Sequence, residues 1–225
     1  MQKILVVLTN TIRYGNTDQA TGLWLGEATE FVQEVQQYGF EVDYVSPLDG
    51  FVPLDPRSLK YTDAESMALY ADKNFQNRAL TNSLKPSQVD PDNYFAIYYT
   101  GGHGVMWDFP NNLELQTITN QIYNQGGFVT SVCHGIAGLL NVKDESNNYL
   151  IAGKRITGFT TAEEVLAGKM NVVPFLNEKV AKDHGAIFRK KRAYQEFALQ
   201  DDQLITGQNP FSAKAVAKLL VQNKL

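Results

Sequence analysis

The sequence predicts an α/β fold, a doubly wound and mostly parallel sheet with helices on both faces, arranged as a three-layer sandwich in one domain over residues 1–225. Three observations lead there. The chain opens on a short continuous apolar run, Lys3 to Thr9, rich in β-branched residues, which fits a strand buried on both faces. Further runs of this kind alternate with segments of helical periodicity, the order expected of parallel strands joined by helical crossovers. A chain of 225 residues with 44% hydrophobic content is large enough for one sizeable core.

The elements follow in order. From Thr21 to Tyr38 the residues Leu23, Trp24, Phe31, Val32 and Val35 recur at helical spacing, and Gly39 supplies a stop. Glu41 to Ser46 alternates as a second strand, and Ala96 to Thr100 and Phe128 to Val132 read as two more. Between those two, Leu113 to Asn124 is helical and ends at Gly126 and Gly127. Pro47 to Asp92 holds Pro47, Pro53, Pro56, Pro86 and Pro91 of the chain's eight prolines, with a helix-like stretch around Asp63 to Leu80. It reads as an elaborated crossover that could wall a pocket. Asp144 to Gly153 is rich in turn residues, Lys154 to Thr157 suggests a further strand, and a C-terminal helix starts near Phe211. There are no repeats or low-complexity tracts.

The net charge of −4 and the pI near 5.4 leave no basic excess to neutralise phosphates, which argues against nucleic acid as a partner. No apolar run reaches the length of a signal h-region or a membrane span, so a soluble cytoplasmic protein is expected. Cys133 is the single cysteine. It has no internal disulfide partner and is either an inert packing residue or a reactive thiol in a reducing compartment.

Position favours chemistry. In G-G-F-V-T-S-V-C-H-G-I-A-G, Cys133 stands where an apolar strand stops and a helix is expected to begin. In an open α/β sheet that is where ligands bind, and a tight turn with a small neighbour such as Gly135 exposes a nucleophile. A helix N-terminus there would favour thiolate and lower the cysteine pKa. His134 adjoins it. In Y-T-G-G-H-G-V-M-W-D-F-P a glycine cluster follows a predicted strand, so Gly101 and Gly102 are candidate oxyanion donors, with His103 and Trp107 as pocket residues. Glu27 lies four residues from both Leu23 and Phe31, inside the helix stripe that faces the sheet. It is either a carboxyl protonated and hydrogen-bonded near the site or a stripe-edge glutamate reaching water.

These motifs, from T-G-L-W-L-G-E at Thr21 through V-C-H-G to I-T-G-F-T-T-A-E-E at Ile156 and L-I-T-G-Q-N-P-F-S-A at Leu204, resemble the ThiJ/PfpI superfamily. Its members are relatives of class I glutamine amidotransferases, and the likeness is to the branch described as glyoxalase III and as heat-shock-type chaperones. The resemblance covers nearly the whole chain and implies a flavodoxin-like fold, a homodimer and no cofactor. It makes Cys133 the nucleophile, His134 its imidazole partner and Glu27 the carboxylate at the sulfur. Its orienting acid aligns with Glu164, although Glu163 and Glu164 both have the spacing of a capping box, with Thr160 and Thr161. The implied activity is glutathione-independent conversion of methylglyoxal to lactate through a cysteine hemithioacetal, with protein deglycation or chaperoning as further roles. A cysteine amidase or peptidase of the same fold, and a non-enzymatic holdase or redox stress sensor, are the alternatives. With only His103, His134 and His184, and no trusted ligand spacing, no metal is expected.

Overall fold

A computed structural model describes residues 2–224. The main sheet has six strands: β1 (Lys3–Val7), β2 (Glu41–Val45), β3 (Tyr94–Tyr99), β4 (Phe128–Val132), and β7 (Ala198–Asp201) and β8 (Leu204–Gly207) near the C-terminus. Their spatial order is β2-β1-β3-β4-β8-β7, parallel throughout except for the antiparallel β7–β8 hairpin at one edge. Between β4 and β7, the strand expected at Lys154 to Thr157 forms as β5 (Arg155–Ile156), but it pairs with β6 (Ile187–Phe188) in a separate two-stranded sheet.

The two faces of β1 explain its continuous apolar run. Ile4, Val6 and Leu8 face one core with Phe31, Val32 and Val35 of α1 (Leu25–Gln37). Leu5 and Val7 face the other, which contains Leu115, Ile118 and Ile122. Side chains alternate along a strand, so covering both faces demands apolar residues at every position. The remaining helices are α2 (Ala64–Ala71), α3 (Lys73–Phe75), α4 (Val105–Asp108), α5 (Leu113–Asn124), α6 (Thr161–Leu166), α7 (Asn177–Asp183) and α8 (Ala213–Val221). α1 and α8 cover the first face and α5 the second.

Three expectations are corrected. The first helix starts at Leu25 and not Thr21, because the crossover holds the preceding residues extended: Leu23 N–H donates to Pro53 O at 2.8 Å and Asp55 N–H to Leu23 O at 2.9 Å. The helix-like stretch from Asp63 is broken. Asp63 caps α2, Asp72 is extended and caps α3, and the chain then runs into a π-helical turn over Gln76–Thr81. The helix expected after Cys133 is a six-residue 3-10 helix, Cys133–Gly138. Strands β7 and β8 were not foreseen, since four-residue strands around the polar Asp201-Asp202 turn carry little periodicity.

The C-terminal ends of β3 and β4 place Gly101 and Cys133 side by side at the sheet's carboxyl edge. This is where open α/β folds put their ligands.

Candidate active site

Cys133 leaves β4 at φ +57°, a left-handed conformation rare for any residue with a side chain. The strained turn is fixed from both sides. The Cys133 carbonyl accepts from Phe159 N–H at 3.0 Å, and a Cβ on Gly135 would stand 2.3 Å from Tyr99 O and 2.7 Å from Thr100 O. Both obstacles are backbone atoms of the central strand end and cannot swing away. Gly135→Ala is therefore expected to lower the melting temperature by roughly 4–8 °C, the equivalent of about 2 kcal/mol in a chain of this size, and to misplace the thiol; thermal melting beside an activity assay checks both.

Around the thiol the side chains form a continuous hydrogen-bonded line. His134 Nδ1 lies 3.3 Å from Cys133 Sγ, and His134 Nε2 lies 2.8 Å from Glu164 Oε2. The second oxygen of Glu164 meets His103 Nε2 at 2.8 Å. On its far side His103 Nδ1 is 3.0 Å from Arg57 Nη2, and Arg57 is gripped by the buried Asp55 through Nε–Oδ1 at 3.0 Å and Nη2–Oδ2 at 2.8 Å. Arg57 also donates to the Tyr14 hydroxyl.

Proton positions follow from this geometry. A guanidinium only donates, so His103 Nδ1 is an acceptor and its Nε2–H points at Glu164. Burial and the neighbouring His134 push the His103 pKa down to about 4, leaving it neutral. Although burial opposes it, the two histidines hold Glu164 well below the usual carboxylate range. As an anion Glu164 accepts N–H from both rings, which selects the His134 tautomer with its hydrogen on Nε2 and its Nδ1 free to accept from the thiol.

Glu163 does something different. Its Oε2 accepts from Thr160 N–H at 2.9 Å and Thr160 Oγ1 at 2.8 Å, and its Oε1 accepts from Tyr194 N–H, Gln208 and Asn209 at 2.8–3.0 Å. It caps α6 and ties that helix to the loop after β8. Adjacent helix residues point about 100° apart, which lets one serve the cap and the next the histidines.

Glu27 is completely buried, and its Oε2 accepts Gly101 N–H at 2.6 Å. Its Oε1 has no hydrogen-bond partner of regular geometry, and the Cys133 thiol lies close enough for the two groups to shift each other's titration. Burial pushes Glu27 up to about 8, so it holds its proton near neutrality. Burial, reinforced by Glu27, also pushes the Cys133 thiol up. The lowered cysteine pKa expected from a helix dipole is thus reversed, because only a short 3-10 turn follows the sulfur and desolvation dominates.

Two pocket expectations also change. Gly101 spends its N–H on Glu27, so it is a contact plate and not an oxyanion donor; a Cβ there would stand 2.4 Å from Glu27 Oε2 and 2.9 Å from Cys133 Cβ. Gly102, at φ +98°, lines the cavity and is pressed against Gly22. His103 lines it too, but Trp107 does not: it packs edge-on against Tyr14, with ring centres 5.8 Å apart. The cavity encloses about 560 Å³ over Cys133 and His134, with Trp24, Tyr61, Phe159, Tyr194 and Phe211 in its wall.

Ligand atoms of His103, His134 and Glu164 lie within 4.8 Å of one another, a grouping able to hold a divalent cation. In the hydrogen-bonded arrangement both Nε2 atoms carry protons aimed at Glu164, and a cation would have to displace them.

The model of the DJ-1/PfpI family matches residues 20–223. The chain belongs to the DJ-1/PfpI family. Within it, similar proteins include glyoxalase 3 of Candida albicans, 32% identical over 97% of this chain and 96% of that protein, and the glutathione-independent glyoxalase HSP31 of Saccharomyces cerevisiae, 33% identical over 96% and 95%. Among solved structures, the rapid encystment protein REP24 of Francisella tularensis superposes with a TM-score of 0.95 at 37% identity, covering 99% of this chain and 98% of that one. Glyoxalase III of Candida albicans gives 0.88 at 30%, over 98% and 96%.

In this DJ-1/PfpI chain the sequence reading missed Arg57, Asp55, Trp24, Tyr61, Tyr194 and Phe211. Trp24, within T-G-L-W-L-G-E, and Phe211, within L-I-T-G-Q-N-P-F-S-A, carried a local signal; Asp55, Arg57 and Tyr61 come from the crossover and Tyr194 from a loop before β7. Converting Glu164 to glutamine tests the proton assignments. The amide would donate to one ring and favour the His134 tautomer with its hydrogen on Nδ1, facing the sulfur. Turnover is expected to fall by about 10³-fold or more while the fold survives, as steady-state kinetics beside circular dichroism would register.

Proposed function

We propose that this protein is a glutathione-independent glyoxalase that converts methylglyoxal to lactate, with Cys133 as nucleophile, His134 and Glu27 as proton carriers and Glu164 as the group that orients His134. One observation carries the reading: a fully buried Glu27 carboxyl and His134 Nδ1 both lie beside one buried thiol. The full-length likeness to proteins named glyoxalase 3 and glutathione-independent glyoxalase supports it.

The chemistry runs as an internal redox exchange. Sγ adds to the aldehyde carbon, the thiol proton passes to His134 Nδ1, and Glu27 gives its proton to the aldehyde oxygen. While the oxygen carries charge, the N–H groups of Gly102 and His134 are the nearby backbone donors. Glu27, now a carboxylate of unusually high basicity, removes the hydrogen on the former aldehyde carbon to give an enediolate. His134 returns a proton to the neighbouring carbon, leaving a thioester of lactate. Water hydrolyses the thioester with imidazole as base, and lactate and the thiol are released. The aldehyde carbon is oxidised and the ketone carbon reduced, with no outside oxidant, reductant or thiol. The reading extends to a homodimer in the cytosol, a compartment that keeps a lone thiol reduced.

The test is incubation of the purified protein with methylglyoxal, without glutathione, in heavy water. Lactate carrying solvent deuterium at C2 is the expected product. Absence of lactate sinks the reading, and lactate without deuterium replaces the enediolate route with a direct hydride shift.

A further inference from the structure

Resting on that reading, we infer that the site is shaped for an α-oxoaldehyde bearing an aryl or comparably bulky apolar group, the smallest α-oxoaldehydes filling only the space around the thiol. The cavity of about 560 Å³ falls in the range of roughly 300–1,000 Å³ typical of pockets that enclose much larger ligands than methylglyoxal. Its wall is aromatic on two sides. Trp24 and Tyr61 stack with ring centres 5.7 Å apart and planes 28° from parallel, while Phe159, Tyr194 and Phe211 run as a T-shaped series at 6.0 and 6.4 Å. The outer members stay in water: Tyr61 is 64% exposed, Phe211 51% and Leu166 66%. Apolar side chains from the crossover, α6 and the loop before α8 converge on this one mouth, which a flat ring would cover.

Charge points the same way. Arg57 is neutralised by Asp55, and the rest of the lining brings one basic residue, Lys60, and one acidic residue, Glu30. The wall therefore demands neither an anionic nor a cationic tail. For an aryl substrate the reaction balances as before: a C–S bond forms at the aldehyde carbon, that carbon's hydrogen leaves as a proton, the ketone carbon gains one, and water cleaves the thioester to a 2-aryl-2-hydroxyacetate.

The experiment compares phenylglyoxal with methylglyoxal, measuring mandelate and lactate formed by the wild type, Tyr61→Ser and Phe211→Ser. Both substituted side chains are more than half exposed, and melting curves check that the variants fold. The wild-type ratio of kcat/KM, phenylglyoxal over methylglyoxal, is expected to be about tenfold or more, and each variant should cut that ratio by about threefold or more, the scale of discrimination an apolar pocket gives. Comparing variants on one pair of substrates cancels their difference in intrinsic electrophilicity. Turnover of methylglyoxal with a ratio near unity, or a ratio that both substitutions leave in place, overturns the aryl inference and leaves the glyoxalase reading standing. Formation of neither acid overturns both.

Discussion

The Cys133→Ala protein is expected to fold and to form no lactate above background, a fall in kcat of at least about 10⁴-fold. Alanine meets the same left-handed backbone as cysteine, so the turn at φ +57° gains no new strain. The Cys133 carbonyl bond to Phe159 N–H and the packing of Gly135 on Tyr99 do not involve the sulfur. The loss is therefore chemical: without Sγ there is no covalent adduct to hold the aldehyde carbon beside Glu27. Stability should stay within about 1 kcal/mol of the parent. Serine would rescue little, because its hydroxyl is a weaker acid in a site where burial already raises the thiol. Kinetics and melting of the two variants would decide it, and retained turnover in Cys133→Ala removes the cysteine from the mechanism.

Glu27→Gln should abolish turnover and make the protein more stable at alkaline pH. Burial raises Glu27 from 4.5 to about 8, so between those values the folded protein holds a proton that the unfolded chain has released. Stability then falls as pH rises, by about 1.4 kcal/mol per unit from this group, and the slope ends above about pH 8. Glutamine keeps an oxygen to accept Gly101 N–H and carries no charge to desolvate. The variant is expected to exceed the parent by on the order of 4 kcal/mol at pH 8, with the gap closing towards pH 4.5. In the parent, turnover should decline as pH rises through about 8, because addition draws on the Glu27 proton. Chemical melts of both proteins at pH 5 and pH 8 test the first statement and a pH–rate profile the second. Equal pH dependence of the two melts would mean that Glu27 is ionised in the fold.

On the proposed mechanism, stability and activity are opposed at this position for a definite reason. Catalysis needs a carboxyl whose pKa lies near working pH, and desolvation is what raises it. The cost appears as a buried Oε1 without a regular partner. Glu164 shows the opposite arrangement, since two histidines surround it and hold its charge. The same type of side chain therefore carries a proton at one end of the site and a charge at the other.

The parallel-sheet core was legible in the residues alone, because a strand covered on both faces must be apolar at every position, as Ile4 to Val7 are. So was the place of Cys133, since the end of an apolar strand followed by H-G is a local pattern. Glu27 was visible as a carboxyl out of place in an apolar stripe. What the fold alone decided lies in contacts distant along the chain. Glu163 and Glu164 have the same capping spacing, and only the approach of Gln208 and Asn209 to one and of His103 and His134 to the other separates them. Trp107 and Gly101 looked like pocket residues, yet Tyr14 claims the first and Glu27 the N–H of the second. The direction of the cysteine shift also reversed, because desolvation depends on everything packed around the sulfur and not on its neighbours in the chain. Periodicity reports which face of an element is buried; which group meets which, and how far water is excluded, are set only when the crossover, α6 and the C-terminal loops close over the sheet edge.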